Sequence, residues 1–283
     1  MPELPEVETI ARTLRAAIAG KRIAAIYQSG KTLRRPVPAD LDARLRNRTV
    51  HAIHRRGKYL IVEMRPPAFW LIHLGMSGRL LYTPGTAKRP PHTHAAIRFA
   101  GGGELQYLDP RRFGLLDVYE KATLEELPEV KRLGKDPLGS MISAVWLWQE
   151  LARTRRDLKS FLLDQRRIAG VGNIYASEVL FLARLHPQRR CNSLSRKEAA
   201  ALARATRKVL RTAVDHRGTS FSDFRDSDGA LGEHQDFLRV FQRDGETCRR
   251  CLGMIRRIRQ GNRSTYYCPR CQGKRPGGTR KRK

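Results

Sequence analysis

Val7, Ile10, Leu14 and Ile18 recur at the spacing of one helix face, with polar residues between them. That pattern predicts an amphipathic helix over residues 5–18, closed by Gly20. The next hundred residues change period. Short runs rich in Ile, Val, Leu and aromatics occupy 22–28, 49–54, 58–64, 69–74, 78–82, 94–99, 104–108 and 115–119, with Gly, Pro and Asn between them. Many short strands at such intervals predict a β-sandwich. Beyond residue 120 the helical period returns, over 143–153, 157–164, 173–184 and 195–215, with a Gly-Val-Gly-Asn turn at 170–173. The expected fold class is therefore α+β and multidomain. A β-sandwich with a leading helix takes 1–133, a helical domain 134–244, and a cysteine-bounded module 245–271. A basic tail over 272–283 is expected to be disordered.

Charge narrows the partner. The chain carries 56 Lys and Arg against 27 Asp and Glu, a formal +29 over 283 residues. Such an excess points to a polyanion, most simply nucleic acid. No run approaches the roughly 20 apolar residues that span a bilayer. The start has no basic-then-apolar leader pattern, since acids begin at Glu3. The expected compartment is the reducing cytoplasm, where paired cysteines are metal ligands more often than disulfides. Cys248-x2-Cys251 and Cys268-x2-Cys271, sixteen residues apart, suit one tetrahedral structural zinc held by four thiolates around a β-hairpin. Cys191 stands apart as a free thiol.

The extreme N-terminus holds candidate chemistry. With Met1 removed, Pro2 presents a secondary amine, and an α-amino group titrates near roughly pH 8. A neutral amine meeting an aldehydic sugar carbon forms a Schiff base, and Glu3 beside it can shuttle protons. Pro5, Glu6 and Glu8 read more simply as a helix start with acids placed for the dipole. Lys58 leads into an apolar strand, either as a solvated strand end or as a cation held near a cleft. Gly170 and Gly172 before a helix either serve geometry or expose amides to a phosphate. Arg263 falls at the tip of the expected hairpin, as a surface arginine or a phosphate contact. Met76 lies in a glycine-flanked turn, as core filler or otherwise. The Asp109 to Gly114 turn combines Arg111 and Arg112 with Phe113, as expected where a side chain replaces a base in the stack.

Taken together, Met-Pro-Glu-Leu-Pro-Glu-Val-Glu-Thr at the start, Arg-Arg-Gly-Lys-Tyr-Leu at 55–60, His-Leu-Gly-Met-Ser-Gly at 73–78, Asp-Pro-Arg-Arg-Phe-Gly at 109–114, Gly-Val-Gly-Asn-Ile-Tyr-Ala-Ser-Glu at 170–178 and the cysteine module closely resemble the formamidopyrimidine-DNA glycosylase family. The resemblance spans nearly the whole chain. It implies an N-terminal β-sandwich, a helix-two-turn-helix domain and a zinc finger, in a bifunctional glycosylase and strand-cutting lyase. The implied substrate is double-stranded DNA carrying oxidised purines or abasic sites, cut by β- and δ-elimination. The implied enzyme is a monomer with no redox cofactor. Pro2 becomes the nucleophile, Glu3 the proton donor, Lys58 a helper in β-elimination and Arg263 the finger arginine. Met76, Arg111 and Phe113 would fill the gap left by the flipped base. His73, Asn173, Lys58 and Arg263 would meet phosphates, with His92 and Arg155, flanked by Arg153 and Arg156, as further DNA contacts. The chain departs from the family pattern in its basic tail, in Arg217 before Gly218, and in Gly232-Glu233-His234-Gln235 within the stretch 227–241 that corresponds to the lesion-capping loop. The rival readings are an endonuclease VIII-like glycosylase for oxidised pyrimidines and a non-enzymatic zinc-finger DNA-binding protein. Pro2, Glu3 and Lys58 argue against the second.

Overall fold

The computed structural model describes residues 2–85, 88–139, 142–220, 227 and 229–273. The chain divides into two compact units, residues 1–132 with 214–235, and residues 133–213 with 236–283. No helix among the described residues is long and apolar enough to cross a membrane.

The first unit begins with α1 (Leu4–Ile18), one residue longer at its start than the periodicity predicts. Pro5 suits its first turn, where a missing N–H costs nothing. The strands β1 (Ile23–Gln28), β2 (Thr49–Arg56), β3 (Tyr59–Arg65), β4 (Ala68–His73), β5 (Arg79–Thr83), β6 (Thr93–Phe99), β7 (Glu104–Leu108) and β8 (Leu115–Tyr119) follow, with α2 (Leu41–Leu45) between the first two. They form two antiparallel four-stranded sheets, in the orders β1-β6-β7-β5 and β2-β3-β4-β8. The apolar face of α1 shares one core with both sheets: Val7, Ile10 and Leu14 join Leu60, Val62 and Trp70 of one and Ile97, Leu105 and Tyr107 of the other. A smaller cluster of Ile61, Phe69, Leu71 and Leu115 lies beneath Leu124, Leu127 and Val130, the last on α3 (Pro128–Lys131). Strand β4 is therefore buried on both faces, which is why it reads as an unbroken apolar run.

The second unit holds α4 (Ala144–Ala152), α5 (Leu158–Leu163), α6 (Asn173–Leu182), most of α7 (Arg196–Asp215), and the hairpin of β9 (Arg256–Gln260) and β10 (Arg263–Tyr267). Ser143 and Asp157 cap α4 and α5 by accepting the N–H of Trp146 and Ser160. Buried Glu178 on α6 accepts the backbone N–H groups of Arg239, Val240 and Phe241, each at 2.9 Å, and so fixes the chain entering the cysteine module.

Two boundaries differ from expectation. The described residues of 214–235 group with the sandwich, and Glu6 on α1 accepts the Thr219 N–H at 2.8 Å. Gln272, expected in the tail, is buried. Its amide accepts from the Cys268 N–H and donates to the Leu185 carbonyl, both at 2.9 Å, so it closes the module. Lys274 to Lys283 lie outside the described residues, as do most of 221–228.

Candidate active site, DNA-contact residues and zinc centre

In the first unit, the sequence places an acid three residues after an acid at the head of α1, and the structure turns that spacing into a reciprocal cap. The Glu3 carboxylate accepts the Glu6 N–H, and the Glu6 carboxylate accepts the Glu3 N–H at 2.8 Å. Glu6 spends its second oxygen on Thr219. Pro2, Glu3 and Glu6 are all buried. Gly218 runs at φ +79, and a Cβ there would stand 2.8 Å from Glu6 Oε1. Arg217, whose presence departs from the family pattern, takes φ +58 without being glycine. Met1 lies outside the described residues. Glu6 therefore holds the segment at 219 as well as the helix start, a role the dipole reading missed.

Lys58 sits in the two-residue turn between β2 and β3, after Gly57 at φ +57, the first position of a tight hairpin. Although charged, it is only 7% exposed. Burial, then the charges of Lys58 and Arg34, push His73 down to about 4. His73 is thus neutral, and its Nδ1 accepts the Gly75 N–H at 3.0 Å, which leaves the proton on Nε2 as a donor.

Met76 and Phe113 are 46% and 45% exposed, unusual for large apolar side chains on two neighbouring turns. Arg111 lies over the Phe113 ring at 4.8 Å. The turns are locked together by Asp109, which is fully buried. Asp109 accepts from Ser77 Oγ at 2.6 Å, the Gly114 N–H at 2.7 Å and the Tyr107 hydroxyl at 3.3 Å. A Cβ on Gly75 would meet the Phe113 carbonyl carbon at 2.5 Å, so the turns approach closer than any other residue permits. Asp109 and Ser77 were missed as a hub. A turn acid next to proline is the one trace of it in the sequence. His92 is exposed at φ +66, with its carbonyl accepting the Asp109 N–H.

In the second unit, Arg263 opens β10 and is exposed. The carbonyl of Ser264 behind it accepts from Asn173 Nδ2 at 3.1 Å and from the buried Lys159 ammonium at 2.9 Å. Lys159 also donates to Thr265 Oγ1 at 2.6 Å. The hairpin tip is thereby seated on the starts of α5 and α6, the second of which follows the Gly170–Gly172 turn. An open cleft of about 460 Å³ beside it is lined by Arg156, Arg166, Asn262 and Arg263, with Ser160, Leu163, Asp164 and Gln260. Arg156 faces this cleft. Arg153 and Arg155 are exposed and do not line it.

The four sulfurs of Cys248, Cys251, Cys268 and Cys271 lie within 4.8 Å of one another. The Cys248–Cys271 and Cys251–Cys268 separations are 3.9 and 3.4 Å. Disulfides would need about 2 Å, whereas four thiolates at a zinc bond length stand about 3.8 Å apart. The set fits one structural zinc, with no ligand position left for water. Cys191 is buried outside it, its thiol pushed up to about 12 by burial and then by Asp157.

Comparison with known proteins agrees along the chain. The description "Formamidopyrimidine-DNA glycosylase N-terminal domain" matches residues 1–116, the helix-two-turn-helix domain of the same proteins matches 133–225, and the zinc finger found in these glycosylases and isoleucyl-tRNA synthetases matches 245–273. The formamidopyrimidine-DNA glycosylase of Pelotomaculum thermopropionicum is 39% identical over 96% of this chain and 99% of its own. That of Moorella thermoacetica is 44% identical over 92% of this chain and 95% of its own. Among solved structures, the MutM (Fpg) protein of Thermus thermophilus superposes with a TM-score of 0.87 at 38% identity, covering 97% of this chain and all of that one. Lactococcus lactis Fpg bound to DNA containing an abasic site gives 0.88 at 33%, covering 96% and 100%.

Proposed function

The chain belongs to the formamidopyrimidine-DNA glycosylase family, and we propose that it excises oxidised purines from duplex DNA through Pro2 and then cuts the abasic strand. The observation that carries this reading is the buried start of α1. There, Glu6 fixes the backbone on which Pro2 and Glu3 stand.

Once Met1 is removed, the Pro2 nitrogen attacks C1′ of a nucleotide swung out of the stack. The glycosidic electrons leave with the base, which takes up a proton. The sugar ring opens to an iminium as Glu3 supplies the proton to the ring oxygen. The cationic iminium acidifies the hydrogen on C2′. Loss of that proton expels the 3′ phosphate, a second elimination expels the 5′ phosphate, and water frees Pro2. Lys58, held rigid in its turn, supports the first elimination. His73 through Nε2–H, Asn173 and Arg263 hold phosphates. Met76, Arg111 and Phe113 occupy the vacated stack. Zinc fastens the finger and takes no part in the steps. The enzyme works as a monomer on chromosomal DNA in the cytoplasm, and its +29 charge suits that polyanion. Related Lactococcus lactis structures hold formamidopyrimidine-containing and abasic-site DNA, which supports this substrate class.

Borohydride added during turnover of an 8-oxoguanine duplex is expected to leave a covalent adduct that maps to Pro2. A chain that retains Met1 has an amide at that nitrogen and gives none. An adduct at Lys58 that survives Met1 retention would move the nucleophile to that lysine.

A further inference from the structure

The first cysteine turn of the zinc module carries two aliphatic side chains in open solvent. Leu252 is 79% exposed and Met254 is 63% exposed, the most exposed large apolar residues of the second unit apart from Val145 among the described residues. Leu252 is also held at φ +58, the left-handed region that favours glycine. The turn imposes that geometry: the Leu252 N–H donates to the Cys248 carbonyl at 2.9 Å, and the Cys248 N–H donates to the Gly253 carbonyl at 2.8 Å. Glycine would satisfy the turn without strain or apolar exposure. A leucine there is doubly unfavourable in the free protein, and such placements concentrate at functional positions.

The surroundings state what would cover it. Residues 245–273 contain seven arginines and one acid, Glu246. Glu246 is paired to Arg243 at 2.8 Å. Arg249 and Arg250 lie within the turn and are exposed, with guanidiniums that donate to the Asp236 carbonyl at 3.0 Å and the Phe181 carbonyl at 3.1 Å. Arg270 packs its stem along Gly253, between the two aliphatic residues, while its guanidinium caps the Cys251 carbonyl at 3.0 Å. A second copy would present the same cations, and residues 274–283 hold six cations and no acid, so neither complements the patch. The patch also lies at the cysteine end of the hairpin. Five paired residues per strand, about 16 Å, separate it from the Arg263 tip. It offers no ring on which a base would stack.

We infer that the Leu252–Met254 knuckle is a protein-docking surface for an acidic peptide segment carrying aliphatic side chains, which cover Leu252 and Met254 while its carboxylates meet Arg249, Arg250 and Arg270. The flexible thioether of Met254 suits such an adaptable contact. This surface is independent of the glycosylase reading.

The test uses the zinc-loaded full chain and two fluorescein-labelled eight-residue peptides, one alternating aspartate with leucine, the other aspartate with serine. The leucine peptide is expected to bind at least about tenfold more tightly, and Leu252→Ser with Met254→Ser should remove that ratio while zinc stoichiometry stays at one. Arg270→Gln should weaken both peptides. Leu252→Gly, which the backbone favours, serves as the folding-neutral second variant and should lose most of the ratio. A ratio near one in the unmodified chain, or a ratio that survives the double substitution, overturns the inference. So does an equal loss of undamaged-duplex binding in the double variant, which would make the knuckle a DNA contact.

Discussion

At the start of α1 the chain fixes Pro2 and Glu3 with backbone N–H groups and two carboxylates. At the tip of β9–β10 it fixes Arg263 with a buried lysine, an asparagine amide and four sulfurs. The first end rests on a large apolar core, so a few hydrogen bonds suffice to orient it. The second belongs to a module of under thirty residues, too small for a sufficient core of its own. Metal and buried charge take the core's place there. Each region should therefore fail under a different insult.

The sharpest way to break the comparison is to remove the metal. Cys268→Ser should lose zinc and weaken lesion-duplex binding at least about 100-fold, while circular dichroism of the sandwich persists. Normal binding and cutting by the metal-free chain would mean the finger does not need its staple. Gly218→Ala should come next. Its Cβ would press on Glu6 at a left-handed φ and cost ~2–4 kcal/mol in denaturant unfolding of the first unit. Glu6→Gln leaves one of two N–H groups poorly matched, for about 1–3 kcal/mol, and should slow turnover more than it weakens DNA binding. Lys159→Met should lower duplex affinity about tenfold with zinc still bound, since the Ser264 carbonyl loses one of its two donors. A drop in zinc content would instead assign the lysine to the metal site.

Acid separates the regions more gently. His73 and His234, both in the first unit, are pushed down to about 4, chiefly by burial, with Lys58 and His216 adding. A histidine with a lowered folded pKa binds more protons when unfolded. Its contribution is complete above about pH 6.5 and is lost as pH falls toward 4. Glu198, in the second unit, is raised by burial but brought to about 2 by Arg189 and Ser195, so its contribution fades only between about 4.5 and 2. Unfolding followed by probes in each unit should show the first weakening at the higher pH, and His234→Gln should reduce that dependence. The smallest effect concerns the tail. Ending the chain at Gly273 should flatten the salt dependence of DNA binding by about 0.9 in log–log slope per lost phosphate contact.

The elements and the metal ligands were legible because each rests on a local rule. Short apolar runs set between Gly, Pro and Asn exposed the strands, the 3.6-residue period exposed α1 and α7, and Cys-x2-Cys exposed the zinc set. The helix α2 was not, since five residues give too little periodicity. Long-range polar bonds were also hidden. Nothing near Glu6 announces that it will meet Thr219, and nothing near Lys159 announces Ser264, because those partners are set by packing. Gln272 was read with the tail by composition, while its neighbour Cys268 holds it in the module.

Cys191 carries a consequence of another kind. Its thiol is shut away from solvent, and burial keeps it protonated far above neutral pH. A protonated, shielded thiol neither attacks peroxide nor exchanges with other sulfurs. The oxidants that damage purines therefore find no reactive thiol here outside the four cysteines of the zinc cluster. Intramolecular scrambling with the finger's ligands is suppressed as well. Loss of activity under peroxide should track zinc release and oxidation of the exposed Met76, and should not change in a Cys191→Ala variant.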